Sequence, residues 1–321
     1  MTTERVTVTG VADYAVEGST ITFECETAAP DPVTPRTVPV TLTVYGPRTF
    51  RFELRANPEV PADDEYPELD FDAVAKPVAL DVTETDDSVV IDTGALRISV
   101  GTAEWSFAVE DADSGETVFA EQRSDPDVFG RQRVEPLGFT QAEINHNPRR
   151  VAEAGTAFRL SPGERIYGAG EQFTEFDRRG QEIELWHEEP LGTETGRAYK
   201  NIPFHLSTKG YGLLVDTTAR VTYDFGREST ASGTVAVDDD TFAFVFFYGP
   251  EFPDVIRRYT GSSRLSTGAR SSRRTGRSSV GGGSARSRSP VTCSTWIRSG
   301  CGIARPATWS GTPTSSPTPR G

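Results

Sequence analysis

Apolar residues return at every second position in one short segment after another, from Arg5–Gly10 to Thr117–Ala120. A period of two sends successive side chains to opposite faces of an extended chain, so each segment reads as a strand with one face in a core. Thr20–Cys25, Val38–Tyr45, Thr49–Leu54, Ser88–Ile91, Leu96–Val100, Trp105–Val109 and Thr117–Ala120 share the pattern. Strands resume at Ala157–Leu160, Glu182–Trp186, Phe204–Ser207, Tyr211–Val215, Arg220–Phe225 and Thr241–Phe247. Turn signals such as Gly46-Pro47 and Asp113-Ser114-Gly115 fall between them. The span Ala56–Lys76, loaded with Pro, Asp and Glu, reads as an exposed excursion. Helical character is confined to Pro253–Tyr259, with proline in the first turn and Val255, Ile256 and Tyr259 on one face. Many short strands and almost no helix predict an all-β chain: an antiparallel β-sandwich over residues 1–250, then a short linker helix at 251–261.

The pattern stops at Gly261. Beyond it lie ten of the 33 basic residues and none of the 47 acids, so residues 1–260 carry 23 − 47 = −24 and the remainder +10. Few apolar residues, many Ser, Gly and Pro and uncompensated charge predict a disordered tail over 262–321. So abrupt a shift marks either a domain boundary or a break in the reading frame. The acidic part holds only three lysines, Lys76, Lys200 and Lys209, a composition kept soluble by carboxylates as in halophiles. It argues against nucleic acid or an anionic membrane as partner. Cys25 is alone before the break, and Cys293 and Cys301 have no His nearby to complete a zinc site. The three His are too scattered for a metal triad, and Asp238-Asp239-Asp240 reads as a solvated hairpin turn rather than a calcium loop. No metal or other cofactor is therefore expected. Without an apolar spanning run or signal-peptide stretch, the expected location is cytoplasmic.

Residues Glu164–Asp216 hold the densest unusual pattern. Gly168-Ala169-Gly170 lacks the third glycine and the helix of a dinucleotide fingerprint, so its glycines are read as serving tight turns. Glu171, Trp186, Glu188, Glu189, Tyr199, Lys200 and Asn201 gather around one long loop. Aromatic faces beside carboxylates and amides suit a pyranose, whose C–H faces stack and whose hydroxyls take charge-assisted hydrogen bonds. The same residues read equally as ties that hold the loop, with Trp186 packed in the core.

The order of these residues resembles the N-terminal domain of glycoside hydrolase family 31, the α-glucosidases and α-xylosidases. Tyr167, Gly168, Gly170, Glu171 and Phe173 are followed by Gly180-Gln181 and Trp186, then Ala198-Tyr199-Lys200-Asn201-Ile202-Pro203-Phe204 and Gly210-Tyr211-Gly212. The likeness extends over roughly 85–261, through FFYGPEFPDVIRRYTG. It implies a galactose-mutarotase-like sandwich packed against a (β/α)8 barrel that carries both reacting carboxylates of a retaining mechanism. It implies a loop at the barrel mouth with Trp186, His187 and Glu189 toward substrate, Glu189 standing at the family's Asp and His187 at its Asn. Glu171, Phe173, Tyr199, Lys200 and Asn201 are implied as supports of that loop. An α-linked glycoside as partner and a homo-oligomeric parent follow from the same likeness.

No catalytic residue is expected in this chain, because the barrel is absent. Ser262-Ser263-Arg264-Leu265 stands where the family continues into its first barrel strand. GC-rich codons for Ala307–Gly321 and for Val291–Gly300, displaced by one base, can spell early barrel segments in the right order. The expectation is a truncated, frame-disrupted member, inactive alone. The alternatives are a stand-alone carbohydrate-binding module, an aggregation-prone remnant, and a genuine nucleic-acid-binding tail.

Overall fold

A computed structural model of the chain describes residues 3–29, 34–58, 78, 80–122, 134, 136–144 and 147–262. The tail expected at 262–321 lies outside them apart from Ser262, as do His146, Cys293, Cys301 and the excursion beyond Pro58. Among the described residues the strands run, in chain order, β1 (Thr3–Glu17), β2 (Thr20–Thr27), β3 (Thr37–Gly46), β4 (Thr49–Arg55), β5 (Asp81–Glu84) and β6 (Ser88–Asp92). Then come β7 (Leu96–Gly101), β8 (Ser106–Asp111), β9 (Thr117–Ala120), β10 (Gly138–Ile144), β11 (Asn147–Arg159) and β12 (Ile166–Gly168). The last six are β13 (Glu182–Leu185), β14 (Phe204–Ser207), β15 (Tyr211–Val215), β16 (Val221–Ser229), β17 (Ser232–Val237) and β18 (Thr241–Tyr248), followed by helix α1 (Phe252–Gly261).

Every ladder is antiparallel. Thirteen strands follow the order β12-β14-β15-β18-β4-β3-β2-β1-β10-β11-β17-β16-β13, and β5 to β9 form a second, five-stranded meander. β1 belongs to two ladders: Thr3–Thr7 pair with β10, and Val8–Glu17 pair with β2 through register shifts at Val8/Gly10 and Val11/Asp13. Such bulges let one strand turn a corner. The core between the layers is aromatic. Phe52 and Phe107 meet edge-on at 5.2 Å, as do Phe119 and Tyr211 at 5.5 Å, and Phe119 lies tilted against Phe246 at 5.7 Å. Each fully buried Phe contributes on the order of 1.5–3 kcal/mol by leaving water.

β3 and β4 show the half-buried alternation their sequences predict, with Val38, Val40, Leu42, Phe50, Phe52 and Leu54 inward. β18 does not alternate and is buried along seven of its eight residues. Phe242, Phe244 and Phe246 face the aromatic core, while Val245 and Phe247 face a second cluster with Phe204, Leu214 and Val255 of α1. The helix covers the outer face of β14, β15 and β18, and Tyr259 stacks on Phe204 at 4.2 Å. Pro253 sits in its first turn as expected, but Ile256 points to solvent while Val255 and Tyr259 pack. No helix among the described residues is long and apolar enough to cross a membrane.

Candidate functional site

The motif segment folds into two loops, 169–181 between β12 and β13 and 186–203 between β13 and β14. They are fastened to one another at their roots. Gly168, Ala169 and Gly170 all take left-handed backbone, with φ of 115°, 64° and 78°. This brings the chain so close to the second loop that a Cβ on Gly170 would lie 2.1 Å from the Lys200 carbonyl oxygen. The glycine therefore serves both a dihedral and an approach that other residues forbid. The Ala169 N–H donates to the Phe204 carbonyl at 2.9 Å, and the Glu171 N–H to the Lys200 carbonyl at 3.0 Å.

Side chains complete the clasp. Asn201, buried, donates through Nδ2 to the carbonyls of Trp186 (2.7 Å) and Ala198 (2.9 Å), which draws the neck of the second loop shut. Its Oδ1 accepts from Gln172 Nε2 at 2.6 Å, tying that neck to the first loop. Glu171 pairs with Lys200 Nζ at 2.9 Å, and that ammonium lies 5.6 Å from the centre of the Tyr199 ring. The buried Arg178 guanidinium donates to the carbonyls of Gly168 (3.0 Å) and Glu175 (2.6 Å) and to Thr174 Oγ1 (2.7 Å). Its N–H donates to the Ile166 carbonyl, so this one residue occupies the open edge of β12. Burial holds its pKa below the usual guanidinium range. Behind the loops, the buried Glu164 carboxylate accepts from Ser207 Oγ, Tyr211 Oη and the Ser161 N–H.

What the second loop presents outward is apolar and acidic. Trp186 stands 43% exposed at the end of β13, with Arg220 5.3 Å from its ring centre and itself paired to Glu184 (3.1 Å). His187 and Glu189 are exposed, and His187 bridges Ala198 across the neck. Glu188 pairs with Arg197 at 2.9 Å. Leu191, at the tip, combines a left-handed φ of 52° with 89% exposure. Of the expected supports, Glu171, Lys200 and Asn201 join the clasp, whereas Phe173 and Tyr199 lie about half in solvent. Trp186 is not core packing. Gln172, Arg178, Arg220 and Leu191 were not legible as site residues. Polar loop residues carry no periodicity, and their partners are set by how the two loops close on each other.

The geometry agrees with what the family comparison finds: residues 39–224 match the glycosyl hydrolase 31 N-terminal galactose mutarotase-like domain. The chain belongs to this family. It is similar to the α-xylosidase XylQ of Lactiplantibacillus pentosus, 35% identical over 120 residues, which are 37% of this chain and 16% of that protein. An α-xylosidase of Emericella nidulans is 32% identical over 139 residues, 43% of this chain and 15% of its own length. Among solved structures, a cycloalternan-forming enzyme from Listeria monocytogenes in complex with a pentasaccharide substrate shares the fold (TM-score 0.64, 20% identity, 80% of this chain, 22% of that one). A dextranase of Flavobacterium johnsoniae complexed with isomaltotriose does so equally, with a TM-score of 0.64, 20% identity, and coverage of 80% of this chain and 28% of that one. The matched parts thus span about a sixth of the length of the curated relatives.

Proposed function

We propose that this chain is the supporting, non-catalytic half of a retaining glycoside hydrolase acting on α-linked glucosides or xylosides. The observation that carries this is the clasped loop 186–203. A side-chain and backbone network holds it from inside, and it offers Trp186, His187 and Glu189 outward, aromatic and acidic chemistry suited to one wall of a sugar site. On this reading the reacting carboxylates of the parent reside on a barrel outside the matched residues, and the acid-free, arginine-rich stretch 262–321 is the product of a displaced reading frame. Sequencing the locus across the codons for Gly261 and Ser262 tests that part.

Alone, the chain is catalytically silent. Purified protein incubated with aryl α-glucoside and aryl α-xyloside is expected to release no phenol above buffer. Turnover abolished by Glu189→Gln or Trp186→Ala would refute the assignment. A second reading, a stand-alone saccharide-binding module, is favoured by the exposed Trp186 ring backed by Arg220. It requires heat of binding to maltose- or xylose-terminated oligosaccharides in titration calorimetry, lost in Trp186→Ala.

A further inference from the structure

A groove of about 380 Å3 lies over β1, β2 and β3, within the roughly 300–1,000 Å3 that small-molecule sites occupy. Tyr14 and Pro39 give it apolar walls, Asp13 and Glu24 supply two carboxylates, and Thr22 and Thr37 supply two hydroxyls. No lysine, arginine or histidine lines it among the described residues. No residue of the loop 186–203 lines it either. β3 stands four strands along the sheet from β14, where that loop ends, a separation of about 19 Å at the usual strand spacing. The lining residues other than Pro39 also precede the stretch 39–224 that matches the family.

Asp13 and Glu24 are direct partners in the ladder between β1 and β2. Like charges so opposed repel one another. Neither carboxylate has a cationic partner among the described residues, and Asp13 accepts only from the Tyr14 N–H at 2.8 Å. The hydroxyls of Thr22 and Thr37 are likewise uncommitted among the described residues, and both threonines are exposed. Tyr14, by contrast, is fixed before any ligand arrives. Its ring lies 6.0 Å from that of Phe23, and its hydroxyl donates to Glu84 at 3.2 Å. A wall placed in advance lowers the ordering cost of binding.

The lining selects among ligand chemistries. An anion meets two carboxylates and no cation, so phosphates and uronic acids are repelled. A purely apolar molecule would strip water from both carboxylates and return nothing. A metal ion could use the carboxylates but has no use for the tyrosine and proline walls. A neutral polyol ring uses every part: its hydroxyls donate to the carboxylates in charge-assisted bonds, and its C–H face lies on apolar surface.

We propose that this groove binds a neutral saccharide, with Asp13 and Glu24 accepting from its hydroxyls and Tyr14 and Pro39 against its C–H face. The site does not depend on the role assigned to the loop 186–203.

The test is titration of the isotope-labelled 321-residue chain with maltotriose, followed through backbone amide shifts, beside Glu24→Ala and Trp186→Ala. The expected result is saturable shifts at residues 13–15, 22–24 and 37, weakened roughly tenfold or more in Glu24→Ala and unchanged in Trp186→Ala. Glu24 is exposed, so its replacement should leave the unfolding midpoint in place. Methyl α-glucuronide, which differs from methyl α-glucoside by one carboxylate, should bind at least roughly tenfold more weakly than that glucoside. Shifts confined to the loop 186–203 and lost in Trp186→Ala overturn the proposal while supporting saccharide binding at the loop. Groove shifts produced by calcium chloride but not by maltotriose make it a cation site and overturn it. Absence of any saturable shift with maltotriose overturns it too, as does equal affinity in Glu24→Ala.

Discussion

His205 should make the domain sensitive to mild acid, and His205→Phe should remove much of that sensitivity. The imidazole lies on β14 with no solvent exposure, inside a ring of Phe158, Tyr211, Tyr223 and Phe225 at 5.2–6.0 Å. Neither ring nitrogen has a hydrogen-bond partner among the described residues. Burial without a partner disfavours the imidazolium and lowers the pKa to about 3. The unfolded chain, with an ordinary pKa near 6.5, therefore binds a proton that the folded chain refuses between about pH 6.5 and 3. A folded pKa below the unfolded one means stability is fully present above about pH 6.5 and is lost as pH falls through that window. The loss is roughly 2 kcal/mol by pH 5 and about 3 kcal/mol by pH 4. Phe fills a similar shape without the two unsatisfied nitrogens, which cost on the order of 1–3 kcal/mol, though its larger ring gives back part of this as crowding. Urea unfolding of both proteins at pH 7.5, 6 and 5 isolates the effect, since every other titrating group cancels in the difference. The gap between variant and parent should widen by roughly 2 kcal/mol from pH 7.5 to pH 5. Parallel profiles would refute the reasoning and imply that the imidazole finds a proton or a partner inside the fold.

Gly170→Ala should destabilise by about 3 kcal/mol or prevent folding, because the new methyl meets backbone 2.1 Å away, whereas Gly180→Ala at a similar φ but in open space should cost only about 1 kcal/mol. Matched urea midpoints decide between a dihedral effect alone and a steric one. Asn201→Ala removes three hydrogen bonds at a buried position and should cost roughly 2–3 kcal/mol, with faster proteolytic nicking of 187–199 as the site-specific sign. Molar potassium chloride should raise the thermal midpoint, because a net −24 over residues 1–260 repels itself at low ionic strength. A midpoint unmoved by salt would show that the carboxylates are already compensated locally.

Much of the sheet was legible where a strand buries one face only, and β3 and β4 keep the period that this demands. The segments that went unread break the period for identifiable reasons. β10 turns Gln141 inward, where it accepts from Thr34 at 3.0 Å, so a polar residue stands at a core position. β17 begins Ser232-Gly233 and holds no aromatic, Gly233 being required because a Cβ there would meet the Phe158 ring at 2.5 Å. β12 has three residues, too few to show any period. In the site, the ordered motif was readable as a resemblance, but the work of its members was not. Glu164 satisfies the hairpin behind the loops, Gly170 makes room, and Asn201 closes a neck. Those roles depend on residues 15 to 47 positions away coming into contact, which no local pattern records.

The corner made by β1 has a consequence for synthesis. Thr3–Thr7 leave the ribosome long before their ladder partners, Gly138–Ala142. The amino-terminal half-strand must wait, with an unfilled hydrogen-bonding edge, until well over a hundred further residues have emerged. Closure so distant in sequence slows folding and prolongs exposure to wrong pairing. A nascent chain arrested near residue 120 should therefore remain protease-sensitive at its amino terminus, and one released after residue 160 should not.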